Sequence, residues 1–117
     1  MMNIEELREY CLSKKGTTEE FPFDDVTLVF KVSGKMFALS NLDGDLYVNL
    51  KCDPEKAIEL RESYEAIKPG FHMNKKHWNT IEMDGSLKPD IVKSLIDHSY
   101  DLVVSKLTKK QKESLLQ

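Results

Sequence analysis

This sequence is poor in cysteine, in tryptophan and in long apolar runs, and each shortage narrows the class of protein. Its 117 residues include two cysteines and one tryptophan. Cys11 and Cys52 form no Cys-x-x-Cys pair of the redox or zinc type, so we expect both to be small buried hydrophobic residues of a cytoplasmic protein. The longest apolar runs, 28–30 and 36–39, are far too short to span a membrane, and no membrane partner is expected.

Basic residues are outnumbered by acidic ones, 17 to 20, which gives a net charge of −3. Because general nucleic-acid-binding proteins are usually basic, the total charge does not favour that class. The sequence has no glycine-rich phosphate loop and no nucleophile in an activating motif. The acidic pairs at 19–20 and 24–25 are typical of solvated loops and helix caps. We therefore expect no enzyme activity and no cofactor.

Side-chain periodicity predicts an α+β fold in one domain spanning residues 1–117, with 108–117 as a frayed tail. Asn3 and Glu6 indicate a capping box at the start of a first helix, and Asp53 followed by Pro54 indicates the start of a second. Pro89 opens the last and clearest helix. The predicted segments are helix 3–14, strands 26–32, 35–41 and 45–51, helix 54–63, strands 64–68 and 78–83, and a final helix from 89. Tight turns between the first three strands favour an antiparallel sheet with helices on its apolar face, a two-layer sandwich.

What the chain does have is one unusual segment, Lys68–Thr80. It contains two of the three histidines, the only tryptophan and three lysines, and it contains no acidic residue. Lysines can neutralise phosphates, histidines can donate hydrogen bonds, and a tryptophan ring can stack on an unpaired base. The candidate nucleic-acid-binding residues are His72, Asn74, Lys75, Lys76, His77 and Trp78.

A structural interpretation of the same segment stays open, in which Trp78 packs in the core and the lysines are simply solvated. A metal site is not expected, because His72 and His77 are five positions apart and lack the paired spacing of structural zinc ligands. His98, on the last helix, is typical of a surface or half-buried histidine. A second basic group, which begins at Lys106, is expected to be part of the solvated tail.

Several separated segments, in this order along the chain, resemble the MmcQ/YjbR family. They are Phe21-Pro22-Phe23, Lys31–Leu39, Leu50–Glu55, Glu59–Arg61, Pro69–Thr80 and Ser99–Val103. The resemblance implies the secretion-chaperone-like α-β(3)-α-β(2)-α sandwich with an antiparallel sheet. Phe71 stands where many relatives carry tyrosine.

The family's label implies a DNA-binding protein, and we expect contact with DNA through the basic and aromatic loop at 72–78. The alternative is a protein- or peptide-interaction module without nucleic-acid binding. It would use the sheet face or the edge formed by Phe21-Pro22-Phe23 to hold an unknown protein partner. Family membership determines a fold more firmly than a function, which depends on the geometry of the site.

Overall fold

The helices and strands follow one another in nearly the order that side-chain periodicity predicts. The computed structural model describes residues 2–117. The helices are α1 (Ile4–Leu12), α2 (Pro54–Ser63), α3 (Pro89–Ser105) and α4 (Lys109–Leu115). The strands are β1 (Thr17–Glu20), β2 (Thr27–Val32), β3 (Lys35–Asn41), β4 (Tyr47–Lys51), β5 (Ile67–Pro69) and β6 (Trp78–Glu82). They form one antiparallel sheet in the order β1-β2-β3-β4-β6-β5, so the predicted α+β class is confirmed.

Local sequence signals account for the turns and helix starts. Ser33 and Gly34, between β2 and β3, both have positive φ, at 50° and 76°. Two successive positive φ angles define the turn that matches the twist of a hairpin. At the start of α1, the Glu6 N–H donates to Asn3 Oδ1 at 2.8 Å, and the predicted capping box is present.

The main core lies between the sheet and the helices on one of its faces. Leu7 and Cys11 of α1 and Ile96 of α3 are fully buried there. Burial raises the pKa of Cys11 to about 12 and also raises the pKa of Cys52, so both thiols are protonated at neutral pH. Within residues 2–117, no helix is long and apolar enough to cross a membrane.

The structure contains two elements that the sequence-based prediction lacked. Strand β1 pairs with β2 along its whole length, although its Thr-Thr-Glu-Glu sequence carries no apolar alternation. The second is α4, which occupies the predicted frayed tail. A capping box of Thr108 and Gln111 starts it, and Leu115 packs against Gly16 and the main core. A Cβ on Gly16 would lie 2.4 Å from Leu115 Cδ2, so the glycine leaves room for the helix.

A histidine joins α3 to the start of α2. The backbone N–H of Asp53, the N-cap of α2, donates to His98 Nε2 at 3.2 Å, which requires a neutral ring. Burial lowers the pKa of His98, and the charge of Lys56 lowers it further, against the opposing effect of Asp53 and Asp101. Because the folded protein disfavours the imidazolium, His98 contributes its stability fully above the unfolded-state pKa of about 6.5.

We therefore expect stability to fall as the pH decreases through about 6.5 and the His98 contribution to level off below the lowered folded-state pKa. Urea unfolding midpoints of the parent and of His98→Gln, measured at about pH 7.5 and 5.5, check this. Glutamine keeps an acceptor but does not titrate in this range, so its variant should lose less stability on acidification. Equal losses in both proteins would exclude His98 as the titrating group.

Candidate nucleic-acid interface

The unusual segment forms a loop, Gly70–His77, that folds over the sheet face opposite the helices. Strand register places Val29, Leu39, Asn49 and Thr80 side by side in one row across the sheet. The apolar residues that flank this row, such as Phe30, Ala38 and Leu50, belong to the main core on the other face. The row is itself buried, because the loop lies against it.

A closed set of hydrogen bonds fixes the loop to this row. The Thr80 hydroxyl donates to Asn49 Oδ1 at 2.5 Å, and Asn49 Nδ2 donates to the Phe71 carbonyl at 3.1 Å. The Phe71 N–H donates to Thr80 Oγ1 at 2.8 Å. Thr80 is 0% and Asn49 4% exposed. Their polar atoms therefore form hydrogen bonds with each other and with the loop backbone instead of with water.

The Pro69-Gly70 turn brings the loop close to β6. The Gly70 N–H donates to the Trp78 carbonyl at 2.9 Å. A Cβ on Gly70 would lie 2.8 Å from the Trp78 Cβ, which no side chain can tolerate without a shift of the backbone. The glycine is therefore required here for space.

Trp78 does not offer its ring for stacking. It is 8% exposed and packs with Val29 and Leu39, with Met36 and Met73 at the margin of the cluster. Of the two interpretations of Trp78, the geometry fits the structural one. The loop's Met73 covers the cluster from outside.

Arg61, on the last turn of α2, anchors the loop from the side. Its Nε donates to Asn79 Oδ1 at 2.7 Å, and its Nη2 donates to the Lys75 carbonyl and, at 3.3 Å, to the Trp78 carbonyl. Sequence reasoning missed this role. The available signal was spacing, because Arg61 follows the buried Ala57 by four residues and so shares its helix face.

Asn74 and Lys75 serve the loop's own structure. Asn74 Oδ1 accepts from the Lys76 N–H at 2.9 Å, and the Asn74 carbonyl accepts from the Trp78 N–H at 3.0 Å. Lys75 Nζ donates to the Gly70 carbonyl at 2.7 Å. Two of the six candidate residues thus have a partner inside the loop.

His72, Lys76 and His77 differ from these, since their side chains form no hydrogen bond or ion pair within residues 2–117. His72 and Lys76 are exposed, and His77 is half-buried. His72 has a φ of 58°, an uncommon angle for a residue with a side chain, at the tip of the loop. No group of three or more His, Cys, Asp or Glu in the described part of the chain could hold a metal ion.

Three lysines from distant parts of the sequence lie at the same end of the sheet as the loop. Lys51 pairs with Trp78 in register, Lys35 starts β3 at this end, and Lys106 is the C-cap of α3. The pKa of Lys51 is lowered first by burial and then by the charges of Lys106 and Lys35. We call Lys35, Lys51 and Lys106 the lysine cluster; none of them forms an ion pair inside the 2–117 region.

The loop and the lysine cluster are continuous through the backbone. The Cys52 N–H, next to Lys51, donates to the His77 carbonyl at 2.8 Å. The result is a cationic surface made of the lysine cluster with Lys76, and His77 lies beside it. His72 is farther away, because the ring of the adjacent Phe71 packs on Tyr47, at the other end of β4 from Lys51. Sequence reasoning found the loop but not the cluster, because its members are far apart in the sequence.

The protein is thus of the α+β class, with a six-stranded antiparallel sheet that has helices on one face and an anchored basic loop on the other. A family model described as YjbR matches residues 12–102, and the chain belongs to that family. The predicted family assignment is confirmed.

Among curated proteins, the chain is 34% identical over 117 residues to the uncharacterized protein YjbR of Escherichia coli K12, covering 99% of both chains. It is 40% identical over 94 residues to the uncharacterized protein YbdF of Escherichia coli O157:H7, covering 80% of this chain and 77% of that one. Among solved structures, the Deinococcus radiodurans protein DR2400, with domain DUF419, matches with a TM-score of 0.92 and 41% identity over 98% of this chain and 88% of its own. A Pseudomonas syringae protein matches with a TM-score of 0.76 and 30% identity, covering 86% and 98%.

Proposed function

We propose that this protein binds DNA in the cytoplasm, through the cationic surface formed by Lys76 and the lysine cluster. The observation that carries the proposal is the convergence of lysines without acidic partners, which leaves their positive charge available to an anion. Burial lowers the pKa of Lys51 most, and the charges of Lys106 and Lys35 lower it further; a phosphate placed between the lysines would relieve that repulsion. The unpaired buried cysteines fit the reducing cytoplasm.

The mode of binding follows from which groups are free. Lys76 and the lysine cluster suit phosphate oxygens, and His77 can donate a hydrogen bond beside them. With the Trp78 ring packed away, the surface has no stacking platform from that residue. We therefore propose backbone contacts with little base preference, so that duplex DNA binds at least as well as a single strand.

The proposal assigns no catalytic role to the chain. It is supported by the state of the candidate nucleophiles: burial keeps the Cys11 and Cys52 thiols protonated. The Ser99 hydroxyl is occupied as well, since it donates to the Phe37 carbonyl at 2.5 Å and accepts from the Lys51 N–H at 2.9 Å. None of these groups is activated for attack.

Salt dependence tests the DNA proposal. Four lysines contacting phosphates predict a slope of log K against log [salt] of about −3 to −4, so affinity should fall roughly 100-fold between about 50 and 200 mM salt. The double variant Lys76→Ala/Lys106→Ala should reduce the slope by about two and weaken binding at the lower salt. Fluorescence anisotropy with labelled duplex and single strands measures both quantities.

The matched control is Lys88→Ala, which also removes an exposed lysine but lies at the N-cap of α3, away from the cationic surface. It should leave the slope unchanged. Absence of binding at the lower salt, or equal effects of the double variant and the control, would end the proposal.

A second candidate function, protein binding, is favoured by one observation at the Phe21-Pro22-Phe23 edge. Phe21 is 49% and Phe23 65% exposed, so neither covers the sheet edge. The other half of that alternative, the sheet face, lacks this support because Val29 and Leu39 are buried beneath the loop.

A further inference from the structure

Exposed apolar side chains gather where the β1–β2 connection meets the end of β3. They are Phe21, Phe23, Val26 and Leu42, which we call the apolar patch. The Leu42 N–H donates to the Val26 carbonyl at 2.7 Å, so the two chain segments are joined there. Phe21 and Leu42 line one cleft of about 350 Å³, with Ile4 and Leu28 at its base. Such a cluster on a small domain is typical of an interaction site.

Acidic residues outnumber basic ones around this patch. Residues 17–30 and 36–50, the two segments that form it, contain no lysine and no arginine. They carry six carboxylates, which are Glu19, Glu20, Asp24, Asp25, Asp43 and Asp45. Glu20 is paired with Lys31 at 3.5 Å, and the four aspartates form no ion pair in the described part of the chain. The cation that lines the cleft, Arg8, is occupied: it donates to both oxygens of Glu19, at 2.6 and 2.5 Å. Hydrogen bonds from the Val26 and Thr27 N–H groups lower the pKa of Asp24, which stays ionised.

Helix α4 has the complementary character. Lys109, Lys110 and Lys112 are exposed and form no ion pair in the described part of the chain. Leu116, directly after the helix, is 79% exposed, more than any other large apolar side chain of residues 2–117. Leu115 is held against Gly16, which leaves Leu116 without a place in its own core.

We propose that α4 of one copy of this chain docks on the apolar patch of a second copy. Leu116 enters the cleft between Phe21 and Leu42, and the α4 lysines face the surrounding carboxylates. Apolar burial supplies affinity in this contact, and opposite charges supply its orientation.

The contact has to form between copies. Leu115 is anchored at Gly16, at the start of β1, whereas Phe21 follows its end. Five residues of extended chain at about 3.3 Å each separate the two by about 16 Å. Because Leu116 is bonded directly to Leu115, it cannot reach the cleft of its own copy.

The apolar patch and α4 lie on different surfaces of the chain. The contact is therefore heterologous, unless two copies each dock their α4 on the patch of the other. One short helix covers much less than the area of about 1,200–2,000 Å² that stable interfaces bury. We therefore expect weak self-association, at micromolar concentrations and above. This inference does not depend on DNA binding, since the lysine cluster and Lys76 take no part in it.

Complementation between two variants tests the proposal. Phe21→Ser/Leu42→Ser removes the patch, and Lys110→Glu/Leu116→Ser removes the docking helix; both pairs are at exposed positions. Each variant alone should stay monomeric in sedimentation equilibrium up to about 1 mM, conditions in which the parent associates. An equimolar mixture keeps one intact patch and one intact helix, so it should form a 1:1 dimer and nothing larger.

Lys88→Glu, a matched reversal of an exposed lysine outside α4, should self-associate like the parent. Circular dichroism establishes that each variant is folded. A parent that is monomeric at every concentration would overturn the proposal. A mixture of the two variants that stays monomeric, or variants that associate as well as the parent, would overturn it equally.

Discussion

Arg61→Ala is expected to lower the free energy of unfolding by about 2–4 kcal/mol. The substitution removes the donors to Asn79 Oδ1 and to the Lys75 and Trp78 carbonyls. Asn79 is 1% exposed, so its oxygen would remain buried without that partner. Urea unfolding followed by the emission of Trp78, the only tryptophan, measures the loss.

Two other arginine variants make this expectation specific. Arg61→Lys keeps the charge but not the planar set of donors, so it should recover only part of the stability. Arg8→Ala breaks an exposed ion pair with Glu19 and should cost less than about 1 kcal/mol. If Arg61→Ala cost no more than Arg8→Ala, Arg61 would not be the anchor of the loop.

Trp78→Ala is expected to cost about 3–5 kcal/mol, the usual range for emptying a buried aromatic site. The cavity would open between Val29 and Leu39 on the sheet and Met73 of the loop. Trp78→Phe fills most of this space and should cost clearly less. Chemical unfolding followed by circular dichroism measures both variants, since they lack the fluorescent side chain.

The same residue separates a structural role from a contact with DNA. If Trp78 only supports the loop, Trp78→Phe should bind duplex and single-stranded DNA with the affinity of the parent. The parent's emission should also resist quenching by acrylamide, because the ring is 8% exposed. A Trp78→Phe protein that keeps its stability but loses single-strand binding would restore a stacking role.

Much of this fold is predictable because its signals are local. The Asn3 and Asp53 caps and the Ser33-Gly34 turn each act within four residues, and the structure has all three. Strand β1 could not be predicted in this way, because Thr-Thr-Glu-Glu becomes a strand by pairing with β2. Helix α4 was missed although its Thr108 and Gln111 capping box is a local signal.

In the candidate site, too, local sequence signals predict one part and long-range contacts determine the rest. Composition alone singled out the Lys68–Thr80 segment, which forms the end of β5, the loop and the start of β6. Composition does not tell Lys75, whose Nζ is bound to the Gly70 carbonyl, from Lys76, which is free in the 2–117 structure. It also cannot bring Lys35, Lys51 and Lys106 together, since that requires the register of the sheet and the length of α3.

The bonds that anchor the loop end mostly on main-chain groups: the N–H and carbonyl of Phe71 and the carbonyls of Gly70, Lys75 and Trp78. Every amino acid offers the same main-chain N–H and carbonyl groups, except proline, which has no N–H. Substitution at an exposed position such as 76 therefore leaves the path of the loop intact. Evolution can change the charge or chemistry that this surface presents without redesigning the scaffold, and an engineer could graft new side chains there for the same reason.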